Sequence, residues 1–272
     1  MRSQWECLLQ NLGNWQGSFA QLNPQGEILE DIPSETILEL QEDRQTMRQT
    51  VRRFINGQPE DLVLEYRSLN KSTTFFENGA FCQGSLQFAP YTEFGAEMGL
   101  IHGDRRLRLV PLYNKAAQLD RITLIREHLQ HRPNSQRPIL TLNDLLGKWE
   151  GEAITIAADW LEPEVTATKT EWQQEGDRVT MSLQMGTQSF TSIAIASSLQ
   201  PQILTFSQDQ VQTLFLPDGA SLTCPVAIAP RQPFRLSVSW LLEPNLHQRM
   251  VRAYDAKGAW LSLSLVTERK AL

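Results

Sequence analysis

The sequence predicts an all-β protein built as two related antiparallel barrels in tandem, the product of an internal duplication. Three observations carry this expectation. The stretch Gly13-Asn14-Trp15-Gln16-Gly17 returns 134 residues later as Gly147-Lys148-Trp149-Glu150-Gly151. Further matches then follow in the same order. Asp43-Arg44-Gln45-Thr46-Met47 returns at that offset as Asp177-Arg178-Val179-Thr180-Met181. Asn78-Gly79-Ala80 returns as Asp218-Gly219-Ala220 and Phe94 as Phe234, both at an offset of 140, and Arg108, Tyr113 and Glu127 return as Arg249, Tyr254 and Glu268 at 141. Each match is weak alone, but colinear matches across both halves mark a repeat. The growing offset implies small loop insertions in the second copy. Lastly, short alternating segments separated by Gly, Pro and Asn fill each half, which indicates antiparallel β architecture rather than βαβ units.

Taken in order, Trp5, Leu8, Leu9 and Leu12 stand at helical spacing, so a short helix enters the first domain. Strands follow over 15–22, 36–40, 46–54, 62–66, 73–76, 79–88, 97–102, 106–112 and 119–127, with a turn at Asn23-Pro24-Gln25-Gly26. The polar, Pro-broken stretch 130–136 suggests a linker. A second short helix over 142–146, capped by Thr141 or Asn143, leads into Trp149 as the first leads into Trp15. The expected domains are 1–129 and 139–272, with a linker over 130–138.

A chain of 272 residues is long enough for two cores, and its net charge of −6 argues against a nucleic-acid partner. Three widely spaced cysteines, Cys7, Cys82 and Cys224, without a CxxC pair, point to reduced thiols in a cytoplasmic protein. The N-terminus lacks the uninterrupted apolar core of a signal peptide, and no apolar run is long enough for membrane insertion as a helix. Neither a P-loop, a dinucleotide turn, a nucleophile elbow nor a zinc-protease motif occurs, so no cofactor and no catalytic residue is assigned. His128 and His131 lack a third ligand for a metal site. Cys224-Pro225 has no nearby His and reads as a buried thiol beside a turn.

Gly-x-Trp after a short helix, followed by about eight antiparallel strands, resembles the calycin superfamily of lipocalins and fatty-acid-binding proteins. The resemblance implies a Trp that plugs one barrel end and stacks on an Arg of the last strand. Arg126 stands at that place in the first half; the second has Thr267 there, with Arg269 two residues on. The segments Leu216–Ala220 with Cys224-Pro225, Gln248–Asp255 and Gly258–Glu268 are similar to an uncharacterised family of cyanobacteria and chloroplasts with two calycin-like barrels. S-type phycobilin lyases are a more distant likeness.

Arg252 and Tyr254 lie two apart on an expected strand and so share a face. Fatty-acid-binding proteins use a similar Arg-x-Tyr to hold a ligand carboxylate. The candidate ligand-binding residues are therefore Arg252 and Tyr254, with Glu268, Trp260 and Tyr113 beside them. Two alternatives stand against a carboxylate pocket: a solvent-exposed Arg252, or Arg252 paired with Glu268. The last strand poses its own question. Leu261, Leu263 and Leu265 take one face; Trp260, Ser262, Ser264, Val266 and Glu268 take the other. Period two alone leaves open which face is inside. The function expected is non-enzymatic binding or carriage of a small hydrophobic, possibly anionic ligand, a tetrapyrrole or an acyl chain. The alternatives are a bilin chromophore lyase and a structural or interaction module with filled barrels.

Overall fold

A computed structural model describes residues 2–130, 137–160, 162–206 and 210–271. Most of the expected linker, 131–136, and with it His131, lies outside the described residues. Each half opens on a short helix tied to the Trp of its motif. In α1 (Gln4–Leu8) Ser3 and Glu6 form a reciprocal capping box. In α2 (Leu142–Leu145) the Thr141 amide donates to the Asp144 carboxylate at 2.8 Å. The helix ends then receive the indoles: Trp15 Nε1 donates to the Asn11 carbonyl at 2.9 Å, and Trp149 Nε1 to the Leu145 carbonyl at 2.8 Å. Both Trp side chains are fully buried. The closing glycine of each motif follows from strand packing. A β-carbon on Gly17 or Gly151 would overlap the backbone oxygen of Arg126 or Thr267 on the neighbouring strand.

The first half contains β1 (Gly13–Leu22), β2 (Ile28–Leu40), β3 (Met47–Ile55), β4 (Gln58–Tyr66), β5 (Thr73–Phe75), β6 (Phe81–Gly84), β7 (Phe94–His102), β8 (Arg105–Tyr113) and β9 (Leu119–Leu129). They pair in the order β4-β3-β2-β1-β9-β8-β7-β6-β5, a curled antiparallel sheet left open between β4 and β5. The second half contains β10 (Gly147–Ala157), β11 (Glu164–Glu175), β12 (Arg178–Met185), β13 (Gln188–Ser197), β14 (Gln200–Phe206), β15 (Val211–Leu216), β16 (Ala220–Pro225), β17 (Phe234–Glu243), β18 (Leu246–Tyr254) and β19 (Trp260–Lys270). These ten close into a barrel.

Two expectations change here. The insertion read as longer loops is a strand: β14 pairs with β13 on one side and β15 on the other, and so closes the second sheet. The first half has only 67–72 between β4 and β5, too little chain for such a strand, and stays a half-barrel. The strand expected over 79–88 ends at Gly84, because residues beyond it pair with the other half. There Phe88 N donates to the Gly258 carbonyl and Trp260 N to the Leu86 carbonyl.

The duplication extends to the register. Trp15 pairs with Thr36 as Trp149 does with Thr170, and Gly17 with Glu127 as Gly151 does with Glu268. Gly99 faces Arg108 as Ser239 faces Arg249. The seam between the halves is reciprocal too. Tyr113 Oη donates to the Pro225 carbonyl at 2.7 Å, while Tyr254 Oη donates to the Ser85 carbonyl at 2.9 Å. At the repeat's offset Pro225 is the copy of Ser85, so each half sends the same Tyr to the same place on the other. Isolated bridges join Gln87 to Ala259 and Gln118 to Ala227, again in matching positions. One apolar cluster runs across the seam, with Phe88, Phe94 and Leu100 from the first half and Leu222, Phe234 and Leu265 from the second.

Candidate functional site

The pleat of β17, β18 and β19 sorts their side chains into two sets. Leu236, Val238, Met250, Leu263 and Leu265 join the cluster across the seam. The alternate positions face the lumen: Ser237 and Ser239 on β17, His247, Arg249, Val251 and Ala253 on β18, and Ser262, Ser264, Val266 and Glu268 on β19. Thus Leu263 and Leu265 of the last strand pack on the first half, Leu261 stays exposed, and Ser262, Ser264, Val266 and Glu268 are inside. Trp260 departs from this pattern. A bulge between Ser262 and Trp260 skips Leu261 and turns Trp260 to the seam side, where it packs in the apolar cluster.

Arg252 and Tyr254 share a face, and it is the seam face. Arg252 is fully buried; its Nε donates to Tyr254 Oη at 2.7 Å and its Nη2 to the carbonyls of Gly84 and Ser85 at 3.3 and 3.2 Å. Its guanidinium carbon stands 4.9 Å from the Trp260 ring centre. Carbonyl dipoles and an aromatic face, rather than a carboxylate, therefore surround this cation among the described residues. The pairing of Arg252 with Glu268 does not form, because the two residues lie on opposite faces of the sheet. Tyr113 takes the reciprocal place in the seam. Of the five residues chosen from sequence, Arg252, Tyr254, Trp260 and Tyr113 gather at the seam, and Glu268 alone faces the lumen. Burial, opposed only partly by Arg252, pushes the Tyr254 phenol up to about 12.

On its inner face the first sheet carries an ion-paired cluster, in which Arg106 Nη2 alone of the guanidinium nitrogens of Arg106 and Arg108 is buried without a partner among the described residues. Glu127, fully buried, accepts from Arg106 Nε at 2.7 Å and from Arg108 Nη2 at 2.8 Å. Glu97 meets Arg108 Nη1 at 2.8 Å. Burial raises the Glu127 pKa, but the two guanidiniums outweigh it and hold the carboxyl at about 2. Arg106 lies over the Trp15 ring at 4.5 Å and Arg108 over Phe19 at 5.4 Å. The cation on the motif Trp thus comes from β8. Arg126, expected in that role, instead bonds Ser18 and Asp31. In the barrel, Lys270 takes the corresponding place over Trp149, at 5.2 Å.

The barrel repeats this cluster with substitutions. Arg106 becomes His247, whose ring centre is 5.7 Å from that of Trp149. Glu97 becomes Ser237, Phe19 becomes Ala153, Leu112 becomes Ala253 and Arg121 becomes Ser262. Nearly every change removes volume. Among the described residues Glu268 accepts only the Thr170 hydroxyl, at 2.7 Å. Buried polar atoms at Arg249, His247, Thr168 and Ser237 meet no partner. Burial first, and Arg249 second, depress the His247 imidazole to about 3, so it is neutral at ordinary pH. The plugged end of the lumen is apolar, with Trp149, Trp172, Phe206 and Phe215 under α2. Apart from Trp149 of the repeated motif and the repeat matches Arg249 and Glu268, these lumen residues carry no sequence signal; the differences between the two copies distinguish them.

A groove of about 620 Å³ also lies between β1, β9 and the segment after the linker. Its cations have partners: Arg126 bonds Asp31, and Arg137 lies 3.6 Å from Asp218. Among the described residues no His, Cys, Asp and Glu side chains gather as a metal-ligand set, and no helix is long and apolar enough to cross a membrane.

As a class, this is a tandem β protein with one half-barrel sealed by ion pairs and one closed barrel, a fold compatible with binding a small ligand. The chain belongs to the DUF3598 family. Residues 1–132 match that family's N-terminal domain of unknown function. Residues 136–271 match the C-terminal domain described as that of biogenesis factor required for ATP synthase 1. A crystal structure of a DUF3598 protein of unknown function from Nostoc punctiforme is 44% identical over 100% of both chains, with a TM-score of 0.94. The S-type phycobiliprotein lyase CPES of Guillardia theta is 12% identical over 48% of this chain and 90% of its own, with a TM-score of 0.38. No curated protein matches the chain.

Proposed function

We propose that this protein is a non-enzymatic carrier of a small, partly hydrophobic ligand held in the lumen of the second barrel. The observation that supports this reading is the hollowing of one copy relative to the other. Where the first half places Phe19, Leu112 and Arg121, the barrel places Ala153, Ala253 and Ser262. Ten strands close the barrel, and closed barrels of eight or more strands can hold one small ligand. An apolar floor of Trp149, Trp172 and Phe215 beneath Ser and Thr walls suits a molecule with an apolar body and polar substituents. A lyase would need an acid–base pair poised near neutrality. His247 faces the lumen beside Glu268 but is held at about 3, so binding is favoured over chemistry. Native mass spectrometry of protein purified from a cyanobacterial host tests the reading. A bound small molecule released on denaturation is the expected result; protein of bare chain mass that also takes up no hydrophobic probe would overturn it.

A second reading rests on the match of 136–271 to the ATP synthase biogenesis factor domain. Here the fused halves act as a rigid protein-binding factor in assembly of that enzyme. Deleting the gene should then lower the amount of assembled ATP synthase in membranes. An unchanged amount removes this reading and leaves the first intact.

A further inference from the structure

The buried charge of the second lumen is unfinished, and the first half shows what completes it. Arg108 meets two carboxylates, Glu127 from the β9 side and Glu97 from the β7 side. Its copy, Arg249, meets neither equivalent. Arg249 is 8% exposed, and its Nε and Nη2 have no acceptor. Glu268 is committed to Thr170 and comes within ion-pair distance of no cation among the described residues. On the β17 side Glu97 has become Ser237, whose hydroxyl is also unpartnered. The ring that covers Arg108, Phe19, has become Ala153, so no ring stands at that place beside Arg249. A guanidinium keeps its proton even when buried, and a buried unpaired charge is costly. Yet this position retains its Arg where the neighbouring Arg of the cluster became His.

We infer that the barrel lumen contains an anion site, in which the carboxylate of a small-molecule ligand docks on Arg249 from the side that Glu97 occupies in the first half. The site rests on the lumen-binding reading above. Its donors are the Arg249 fork and the Ser237 hydroxyl, with Ser239 directly across from Arg249 on the next strand. Glu268 lies on the opposite, β19 side and bonds Thr170. Along β18 the inward-facing positions run from Arg249 past Val251 to Ala253, about 13 Å at 3.3 Å per residue. Arg235, across from Ala253, stands over Phe190 at 5.7 Å, bringing together strands that are not neighbours in the barrel wall. The ligand class is therefore an anionic amphiphile with its carboxylate inward.

The test is a fluorescence titration of parent, Arg249→Met and Ser237→Glu with dansyl-labelled undecanoic acid and its methyl ester. The acid should bind the parent about tenfold or more tightly than the ester, as expected when a buried charge pair is at stake. Arg249→Met should erase that preference. Ser237→Glu restores the carboxylate of the first half, so it should exclude the acid and raise the melting temperature of the free protein. Equal binding of acid and ester to the parent overturns the anion site while the lumen reading survives. Absence of binding by either overturns both. If Ser237→Glu does not fold, Arg249→Met decides: retention of the acid preference refutes the site. A melting temperature lowered in Arg249→Met as much as in Arg108→Met would refute it too, since that result requires a protein partner for Arg249.

Discussion

The two copies of one glutamate offer a paired experiment in which position, strand and register are matched. Glu127→Gln removes the charge that joins two guanidiniums, both nearly inaccessible to water. Arg108 retains Glu97 at 2.8 Å, so most of the loss falls on Arg106, left with Asn11 Oδ1 at 3.2 Å and the Trp15 ring. Breaking a buried ion pair by removing one partner costs about 3–5 kcal/mol. At roughly 2–4 °C per kcal/mol for a chain above 150 residues, the melting temperature should fall by about 10 °C. Glu268→Gln keeps the one hydroxyl contact, because the amide oxygen still accepts from Thr170, so the cost should stay near or below about 1 kcal/mol. Urea denaturation of the parent and both variants gives the two values. Equal losses would refute the reasoning, because they would mean that Glu268 is an ion-pair partner and that Arg249 is not alone.

Other outcomes follow from the same geometry. The folded state holds His247 near 3 while the unfolded chain titrates near 6.5, so stability is complete above pH 6.5 and is lost as pH falls toward 3. Between pH 7.5 and 5.0 this residue should remove about 2 kcal/mol, at 1.36 kcal/mol per pH unit below 6.5. His247→Gln should flatten that part of a stability–pH profile; an unchanged slope would count against a neutral, buried imidazole. Tyr254→Phe should cost about 1 kcal/mol more than Tyr113→Phe, because it also deprives Arg252 Nε of its acceptor. Equal costs in denaturant titrations would show that Arg252 draws no stability from the phenol. Burial raises the thiols of Cys7, Cys82 and Cys224, the last two to about 11 and 12. None should react with an aromatic disulfide in the native protein at pH 8, and all three should react after denaturation. A fast native thiol would contradict that burial.

Much of the architecture was legible because it rests on local rules. The Gly-x-Trp-x-Gly motif, the capping residues and the alternating segments each have a short-range cause, and the repeat multiplied the signal. Three features needed long-range information. Whether 200–206 forms a loop or the strand β14 depends on two edges waiting to be joined, which no local pattern records. The inner face of β19 depends on what covers the outer face, and Leu263 and Leu265 answer only once the first half is in place. Arg252-x-Tyr254 had the right spacing for a carboxylate pocket, but spacing carries no information on which side of the sheet the pocket lies. The lumen charge at Arg249 was visible as a repeat match. Its surroundings are distinguished by the residues the copies do not share, Glu97 against Ser237 and Phe19 against Ala153, and a repeat match records only those they do.

The reciprocal seam has an evolutionary consequence. Tyr113 reaches Pro225 as Tyr254 reaches Ser85, and this is the contact pattern of an isologous dimer, residue i to j and j to i. A single ancestral repeat that paired with itself would have used this same surface. In such a dimer every mutation appears twice, so a change that hollows one subunit hollows its mate, and both lose stability together. Joining the genes removes that restriction. Arg252 strengthens the seam from one side only, since its copy in the first half, at the offset of 141, is Pro111, a difference that identical subunits could not show. The first copy is then free to remain a sealed, ion-paired foundation, while the second gives up packing for an interior that can be occupied.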